Sequence, residues 1–252
     1  MYKILANTLF MGKKLVFVPE CHSTNSLAQE LGQKKELPEG TIVVTHHQSR
    51  GRGQQGNAWI SEAGKNLTFS VVLKPTFLAI QDQFLLNMVA SLGISGFVHH
   101  QLGRPVRVKW PNDVMLDDRK ISGVLIENQI KGPVFTNSIM GIGLNVNQKG
   151  FLQGQAVSMN MVSGQDFDLQ SVLEGVCLHL EKWYLRLKQK GAASVRQPYV
   201  DSLYAYNETR TFSSNGRQFE GIITGVDGHG RLAVKEGEET RLFNTKEIQL
   251  VF

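Results

Sequence analysis

Gln48-Ser49-Arg50-Gly51-Arg52-Gly53-Gln54-Gln55-Gly56-Asn57-Ala58-Trp59 decides the fold class of this chain. Gly51, Gly53 and Gly56 satisfy G-x-G-x-x-G behind a run, 41–45, that reads as a strand. A dinucleotide-binding turn needs a helix directly after its glycines and an acid about 20 residues on. Neither is present. The glycines lead through Ile60-Ser61 to a turn at Ala63-Gly64-Lys65-Asn66 and then to the apolar run 67–73, and positions 72–78 hold no acid. The segment is therefore a loop between strands. Its backbone N–H groups, with Arg50 and Arg52, can surround an anion. Three glycines make it costly to order before a ligand arrives. A solvated loop whose arginines do nothing is the plain alternative.

Outward from the loop, short β-branched or apolar runs at 15–18, 41–45, 67–73, 106–110, 121–127 and 135–142 read as strands. Ser23 or Thr24 is placed to cap a helix through 25–31. A longer helix is expected over 82–102, and a third over 169–190 with Val172, Val176, Leu180, Trp183 and Leu187 on its apolar side. This order predicts an α+β fold, a mixed β-sheet with packed helices. From 207 the texture changes to very short strand-like pieces separated by turns such as Ser214-Asn215-Gly216 and Asp227-Gly228-His229-Gly230. A small SH3-like β-barrel of about 45 residues is expected there, docked on the main domain. The division predicted is 1–206 and 207–252.

The 252 residues are 41% hydrophobic and 19% charged, close to the globular norm, which argues against a disordered chain. No stretch reaches the ~18 apolar residues of a membrane span, and the N-terminus has no signal-type cleavage pattern. A cytoplasmic protein without a membrane partner is expected. Cys21 and Cys177 are far apart and lack metal-type spacing, so they read as two reduced thiols. The net charge of +5 comes from scattered residues. It favours phosphate-bearing ligands or an acidic partner rather than nucleic acid. Basic residues near the C-terminus are not interleaved with aromatics suited to base stacking.

Three further segments carry chemistry. Arg107-Val108-Lys109-Trp110-Pro111-Asn112-Asp113 ends a strand on a lysine, and the proline stops the ladder. Asp117-Asp118-Arg119-Lys120-Ile121-Ser122-Gly123-Val124-Leu125-Ile126-Glu127 is a turn into an apolar strand with Lys120 at its mouth. Gly141-Ile142-Gly143-Leu144-Asn145-Val146-Asn147 puts two asparagines beyond a glycine-containing strand. Singly, the lysines read as solvated charges and the asparagines as turn formers. Together with the glycine loop they resemble the signatures of biotin protein ligases: G-R-G-R-x-G-x-x-W, K-W-P-N-D, R-K-x-x-G-I/V-L-x-E and G-I-G-x-N-x-N, in that order. Ser23-Thr24-Asn25 is similar to the family's biotin contact, and the resemblance runs from about Lys14 to the C-terminus.

The resemblance implies an ATP-dependent ligase that forms biotinyl-5′-AMP and passes biotin to a lysine of a biotin carboxyl carrier protein or domain. It implies biotin contacts from Ser23, Thr24, Asn25, Gln48, Gly51, Arg52, Gly53, Gln54 and Lys120. Arg50, Trp59, Lys109, Asn112, Asn145 and Asn147 fall on the ATP side, and Asp113 is the candidate for Mg²⁺. Lys120, Arg52 and Lys109 are the catalytic candidates. A carboxylate is already ionised at neutral pH, so the first step needs neither a protein nucleophile nor a histidine base. The obstacle is bringing two anions together, which Lys, Arg, Mg²⁺ and backbone donors can lower. His46 and His47 are given no role.

Two departures stand out. Gln54 occupies the place of a second loop arginine, and the chain starts directly at the catalytic region, so no DNA-binding repressor role is expected. A homodimer is a family-level expectation only. Lipoate–protein ligase and a non-catalytic biotin or adenylate binder are the rival readings.

Overall fold

The run 67–73 owes its place to having no polar face for solvent. In the computed structural model, which describes residues 2–151 and 156–251, this strand is buried at every position. It is β3 (Leu67–Leu73) of a series that also contains β1 (Leu15–Cys21), β2 (Ile42–Gln48), β4 (Val106–Lys109), β5 (Asp113–Leu116), β6 (Arg119–Lys131) and β7 (Val134–Leu144). These form one mixed sheet in the order β1-β2-β3-β7-β6-β5-β4. β1 runs parallel to β2 and every other pairing is antiparallel.

Alternation along the strands splits the sheet into two faces. Ile42, Val44, Phe69, Val71, Met140 and Ile142 join the main core with α2 (Phe84–Leu102) and α4 (Leu169–Lys190). Val43, Val72 and Ile139 turn the other way, against Ala28, Leu27 and Leu31 of α1 (Thr24–Lys34). Two shorter helices, α3 (Met159–Ser163) and α5 (Ala193–Asp201), complete the main layer.

The sequence expectations are met with local corrections. Ser23 stands at the N-cap of α1 but its side chain makes no cap bond. Gln48 Oε1 does that work, accepting the Thr24 N–H at 2.8 Å and lying 3.2 Å from the Thr24 hydroxyl. α2 begins at Phe84 rather than 82, after a 3₁₀ turn over Ile80–Asp82. α4 has the expected bounds, capped by Asp168, which accepts the Ser171 hydroxyl and N–H bonds that hold its carboxyl below the ordinary range. Trp183 packs half-buried against the core on the expected side of α4, and Tyr184 beside it is fully buried. β5, α3 and α5 were not foreseen, being too short to establish a period. β5 turns into β6 through Asp117 (φ 49°) and Asp118 (φ 59°), the paired positive dihedrals of a tight hairpin.

Beyond residue 207 the chain forms β8 (Thr209–Ser214), β9 (Arg217–Val226), β10 (Leu232–Glu236), β11 (Glu239–Phe243) and β12 (Gln249–Leu250). They make an antiparallel sheet in the order β11-β10-β9-β8-β12. The sheet is open, since among the described residues no ladder joins β11 to β12. The expected closed barrel is thus seen as a five-stranded sheet. It shares the main core through Phe212, Ile223 and Leu232. Hydrogen bonds fix its seat: Trp110 Nε1 to the Gly230 carbonyl at 2.9 Å, and Arg196 to the carbonyls of Asp227 (3.1 Å) and Gly228 (3.0 Å). No helix of the described residues is long and apolar enough to cross a membrane.

One buried charge organises the N-terminal segment. Glu181 on α4 is 4% exposed, and its carboxylate accepts the backbone N–H bonds of Leu9 (2.6 Å), Phe10 (2.8 Å) and Met11 (2.9 Å). A buried carboxylate needs such donors, and here the main chain supplies three. Glu181→Ala leaves those donors without their acceptor. The expected loss is about 1–3 kcal/mol of unfolding free energy, limited by the segment's freedom to relax into water. A urea titration measures it, with faster proteolysis of residues 2–11 expected alongside.

Candidate functional site

The α1 side of the sheet is hollowed by glycine. The register sets Gly123 of β6 opposite Gly143 of β7, with Gly141 next along that face and Thr68 and Ser70 of β3 beside them. A Cβ on Gly143 would strike the Trp59 ring, and one on Gly141 would strike the Asn25 amide. Only backbone floors this stretch. Above it opens a cavity of about 580 Å³, within the ~300–1,000 Å³ range of small-molecule and cofactor sites. Its walls come from α1, the glycine loop, β4, β6 and the C-terminal sheet, the last contributing Phe212, Ile223, Leu232 and Ile248.

The glycine loop is folded rather than splayed. Trp59 N–H donates to the Gly51 carbonyl at 3.0 Å, Arg52 and Ala58 form a bridge, and Gly53 N–H donates to Asn57 at 2.6 Å. The tip closes in a 3₁₀ turn over Gln54–Gly56. This hairpin carries Arg52, Gly53, Gln54 and Trp59 into the cavity wall. Trp59 lies over Gly143, with Lys120 Nζ 5.9 Å from its ring. Its buried Nε1 has no hydrogen-bond partner among the described residues.

Four cationic residues line this one cavity: Arg52, Lys109 and Lys120 from the main sheet and the glycine hairpin, and Lys246 from the C-terminal segment. Register places Lys109 opposite Asp113, and Asp113 Oδ1 lies 2.6 Å from Lys120 Nζ. Burial holds the Lys109 ammonium below its ordinary pKa; Asp113 pulls it up and Lys120 pushes it further down. Arg52 forks onto Glu127, Nη1–Oε1 3.1 Å and Nη2–Oε2 2.9 Å. Ser23, Thr24, Asn25 and Gln48 also line the cavity, as does Asn112, whose amide donates to the Val124 carbonyl. Asn25 is committed on both sides, its Nδ2 donating to Glu127 (2.7 Å) and its Oδ1 lying 2.6 Å from Ser70 Oγ.

Four expected site residues lie outside the lining. Arg50 is exposed at the base of the hairpin. Gly51 does not face the cavity; a Cβ there would strike the Trp59 carbonyl, so its smallness lets the hairpin close. Asn145 is buried behind β6, its Nδ2 3.1 Å from the Val157 carbonyl and 3.4 Å from that of Lys120. Asn147 clamps the Phe167 backbone, donating to its carbonyl and accepting its N–H, both at 2.8 Å. Both side chains are engaged with backbone, Asn145 at Lys120 and Val157 and Asn147 at Phe167, where the expectation put them against nucleotide. Residues missed in the sequence include Thr68, Gly141 and Gly143, whose exposure to the cavity depends on register. The contribution of the C-terminal sheet also had no local signal.

Asp113 does not fit a resident Mg²⁺. Its carboxylate is paired with Lys120, and no group of three His, Cys, Asp or Glu able to hold a metal gathers among the described residues. A hard dication between two ammonium groups needs more anionic oxygen than one paired carboxylate offers. Any such ion belongs with the phosphates it would accompany.

The backbone role of Asn147 is testable. Asn147→Ala removes both bonds to Phe167 and is expected to lower unfolding free energy by about 1–3 kcal/mol, read from a denaturant midpoint. An unshifted midpoint would return Asn147 to the ligand side.

Comparison with known proteins agrees with this geometry. The model of the Biotin/lipoate A/B protein ligase family matches residues 18–145, just over half of the chain. The bifunctional ligase/repressor BirA of Bacillus spizizenii is 28% identical over 96% of this chain and 76% of its own. The biotin–[acetyl-CoA-carboxylase] ligase of Paracoccus denitrificans is 28% identical over 84% of this chain and 90% of its own. Among solved structures, a biotin protein ligase from Aquifex aeolicus in complex with biotin and ATP superposes with a TM-score of 0.79, at 26% identity, covering 95% of this chain and 99% of that one. The matched segment contains the glycine hairpin, Lys109, Lys120 and the glycine floor, and the chain belongs to the biotin/lipoate A/B protein ligase family.

Proposed function

We propose that this protein joins biotin to ATP, giving biotinyl-5′-AMP and pyrophosphate, and then transfers biotin to a lysine of a biotin carboxyl carrier protein. This is the activity of a biotin–[acetyl-CoA-carboxylase] ligase. The observation that carries it is the convergence of Arg52, Lys109 and Lys120 on one cavity with Ser23, Thr24 and Gln48. The Paracoccus relative is named for this reaction, and the Aquifex structure holds both biotin and ATP.

In the first step a biotin carboxylate oxygen bonds to the α-phosphorus, and the bond to the bridging oxygen breaks to release pyrophosphate. Two anions must approach, so the site supplies positive charge and alignment in a partly dry space. Lys120 and Arg52 screen the carboxylate and the α-phosphate. Lys109 and Asn112 serve the nucleotide side. Ser23, Thr24, Gln48, Gly53 and Gln54 meet the ureido ring. Asn25 acts as a strut among them because its amide is already engaged. Mg²⁺ enters as MgATP. In the second step the acceptor amine attacks the biotinyl carbonyl of the mixed anhydride and AMP leaves.

The division at 1–206 and 207–252 is part of this reading, with the C-terminal sheet as an SH3-like unit closing one wall of the catalytic cavity. We place the enzyme in the cytoplasm, with a carboxylase carrier domain as its partner. The same family embraces lipoate ligases, which makes acyl choice the point to test. Purified protein is incubated with MgATP, a carrier domain and biotin, lipoate or octanoate in parallel, and intact mass is read. A biotin-sized gain on the carrier supports the proposal. Gain with lipoate alone reassigns the substrate, and no gain with any acid removes the ligase reading. Lys120→Ala is expected to slow adenylate formation by one to two orders of magnitude or more, since lost transition-state electrostatics typically cost ~2.7–4 kcal/mol. Pyrophosphate release at the wild-type rate by the folded variant would take Lys120 off the catalytic set.

A further inference from the structure

We infer that Glu127 is a positioning residue for adenylate formation, holding Arg52 and Asn25 in the arrangement that biotin meets. The inference rests on the biotin reading above. Alternation along β6 puts Glu127 on the face of Gly123 and Leu125, the face that floors the cavity. Glu127 is not itself among the lining residues, whereas Arg52 and Asn25 both are. It acts from behind, through them.

The geometry is that of a two-way clamp. One carboxylate takes both terminal nitrogens of Arg52 (3.1 and 2.9 Å) and the Asn25 amide (2.7 Å). Arg52 comes from the glycine hairpin and Asn25 from the first turn of α1, so a single side chain on β6 sets the distance between two other elements. Ser26 Oγ accepts a further Arg52 bond at 3.0 Å. The bonds of Arg52 to Glu127 and Ser26 tie the hairpin to β6 and α1. Internal backbone bonds hold the hairpin's shape, and the Arg52 contacts set where it lies against β6 and α1.

Exposure decides what the clamp is for. The Arg52 and Glu127 side chains are 43% and 26% exposed, and ion pairs this wet add little to folding stability. A planar two-bond fork does fix direction. Its loss therefore falls on the placement of Arg52 rather than on the fold.

Glu127→Gln keeps the size and removes the charge. In biotin-dependent pyrophosphate exchange, this variant is expected to raise KM for biotin at least tenfold, with kcat and KM for ATP changed less than threefold. In an Arg52→Gln background the same change is expected to add less than threefold, because the shared partner is already gone. The urea midpoint should stay put, and Glu127→Asp, which keeps the charge, should lie between wild type and Glu127→Gln. An unchanged KM, fully additive effects, or a lowered KM (the sign that Glu127 competes with substrate for Arg52) would overturn the assignment.

Trypsin gives a readout that needs no activity. Cleavage after Arg52, relative to cleavage after Arg50 in the same chain, should rise in Glu127→Gln. An unchanged ratio counts against the clamp whatever the enzyme's substrate. Wild-type protein that fails to catalyse biotin-dependent exchange while this ratio rises refutes the biotin reading and not the clamp.

Discussion

Like charges gathered in one partly dry space repel, by roughly 4 kcal/mol at 4 Å when the effective dielectric is ~20. Arg52, Lys109 and Lys120 share such a space, and most of the site's architecture can be understood as a way of keeping them there before any anionic ligand arrives. Asp113 stands against Lys120 at 2.6 Å and Glu127 against Arg52 at 2.9 Å. Lys109 lies opposite Asp113, and burial holds its ammonium below the ordinary pKa. The carboxylates are placed by strand register, not by proximity in sequence: Asp113 pairs with Gly123, and Glu127 with Ile139. A sheet fixes such positions well because each rung is set by its neighbours.

The two faces of that sheet have different jobs. One carries the aliphatic side chains that bury α2 and α4, and the other gives up side chains where the cavity lies. Gly141-Ile142-Gly143-Leu144 expresses both in four residues. Ile142 and Leu144 are buried in the core, while the glycines between them face the ligand side. The asparagines that follow leave the sheet and brace the chain behind it, Asn145 reaching the carbonyls of Lys120 and Val157.

Much of this was legible in the sequence where the signal is local. The 67–73 strand and the 169–190 helix were bounded correctly because one is continuously apolar and the other strongly periodic. The loop was separated from a dinucleotide turn by the strand that follows it. Lys109, Lys120 and Arg52 were found by type and motif. What the sequence hid depends on distant partners. Gln48 caps a helix that begins 24 residues before it. Glu127 matters through two elements on other parts of the chain. Asn145 and Asn147 have the same composition and spacing whether they face a ligand or a backbone, so only coordinates separate strut from contact. The walls supplied by Phe212 and Ile248 come from a sheet whose seat is a tertiary fact.

The glycine pair across β6 and β7 has one more implication. Glycine is among the poorest residues for strand interiors, and β-branched residues are among the best. Positions 123, 141 and 143 are therefore where any effort to raise the protein's thermal tolerance by strand propensity would first be tempted to intervene. Every such side chain would press on groups that line the site: the Trp59 ring over Gly143, the Asn25 amide over Gly141 and the Lys120 side chain beside Gly123. In this sheet, strand robustness and the seating of the site's own side chains are rivals for the same three α-carbons, and the chain has settled the contest in favour of the site.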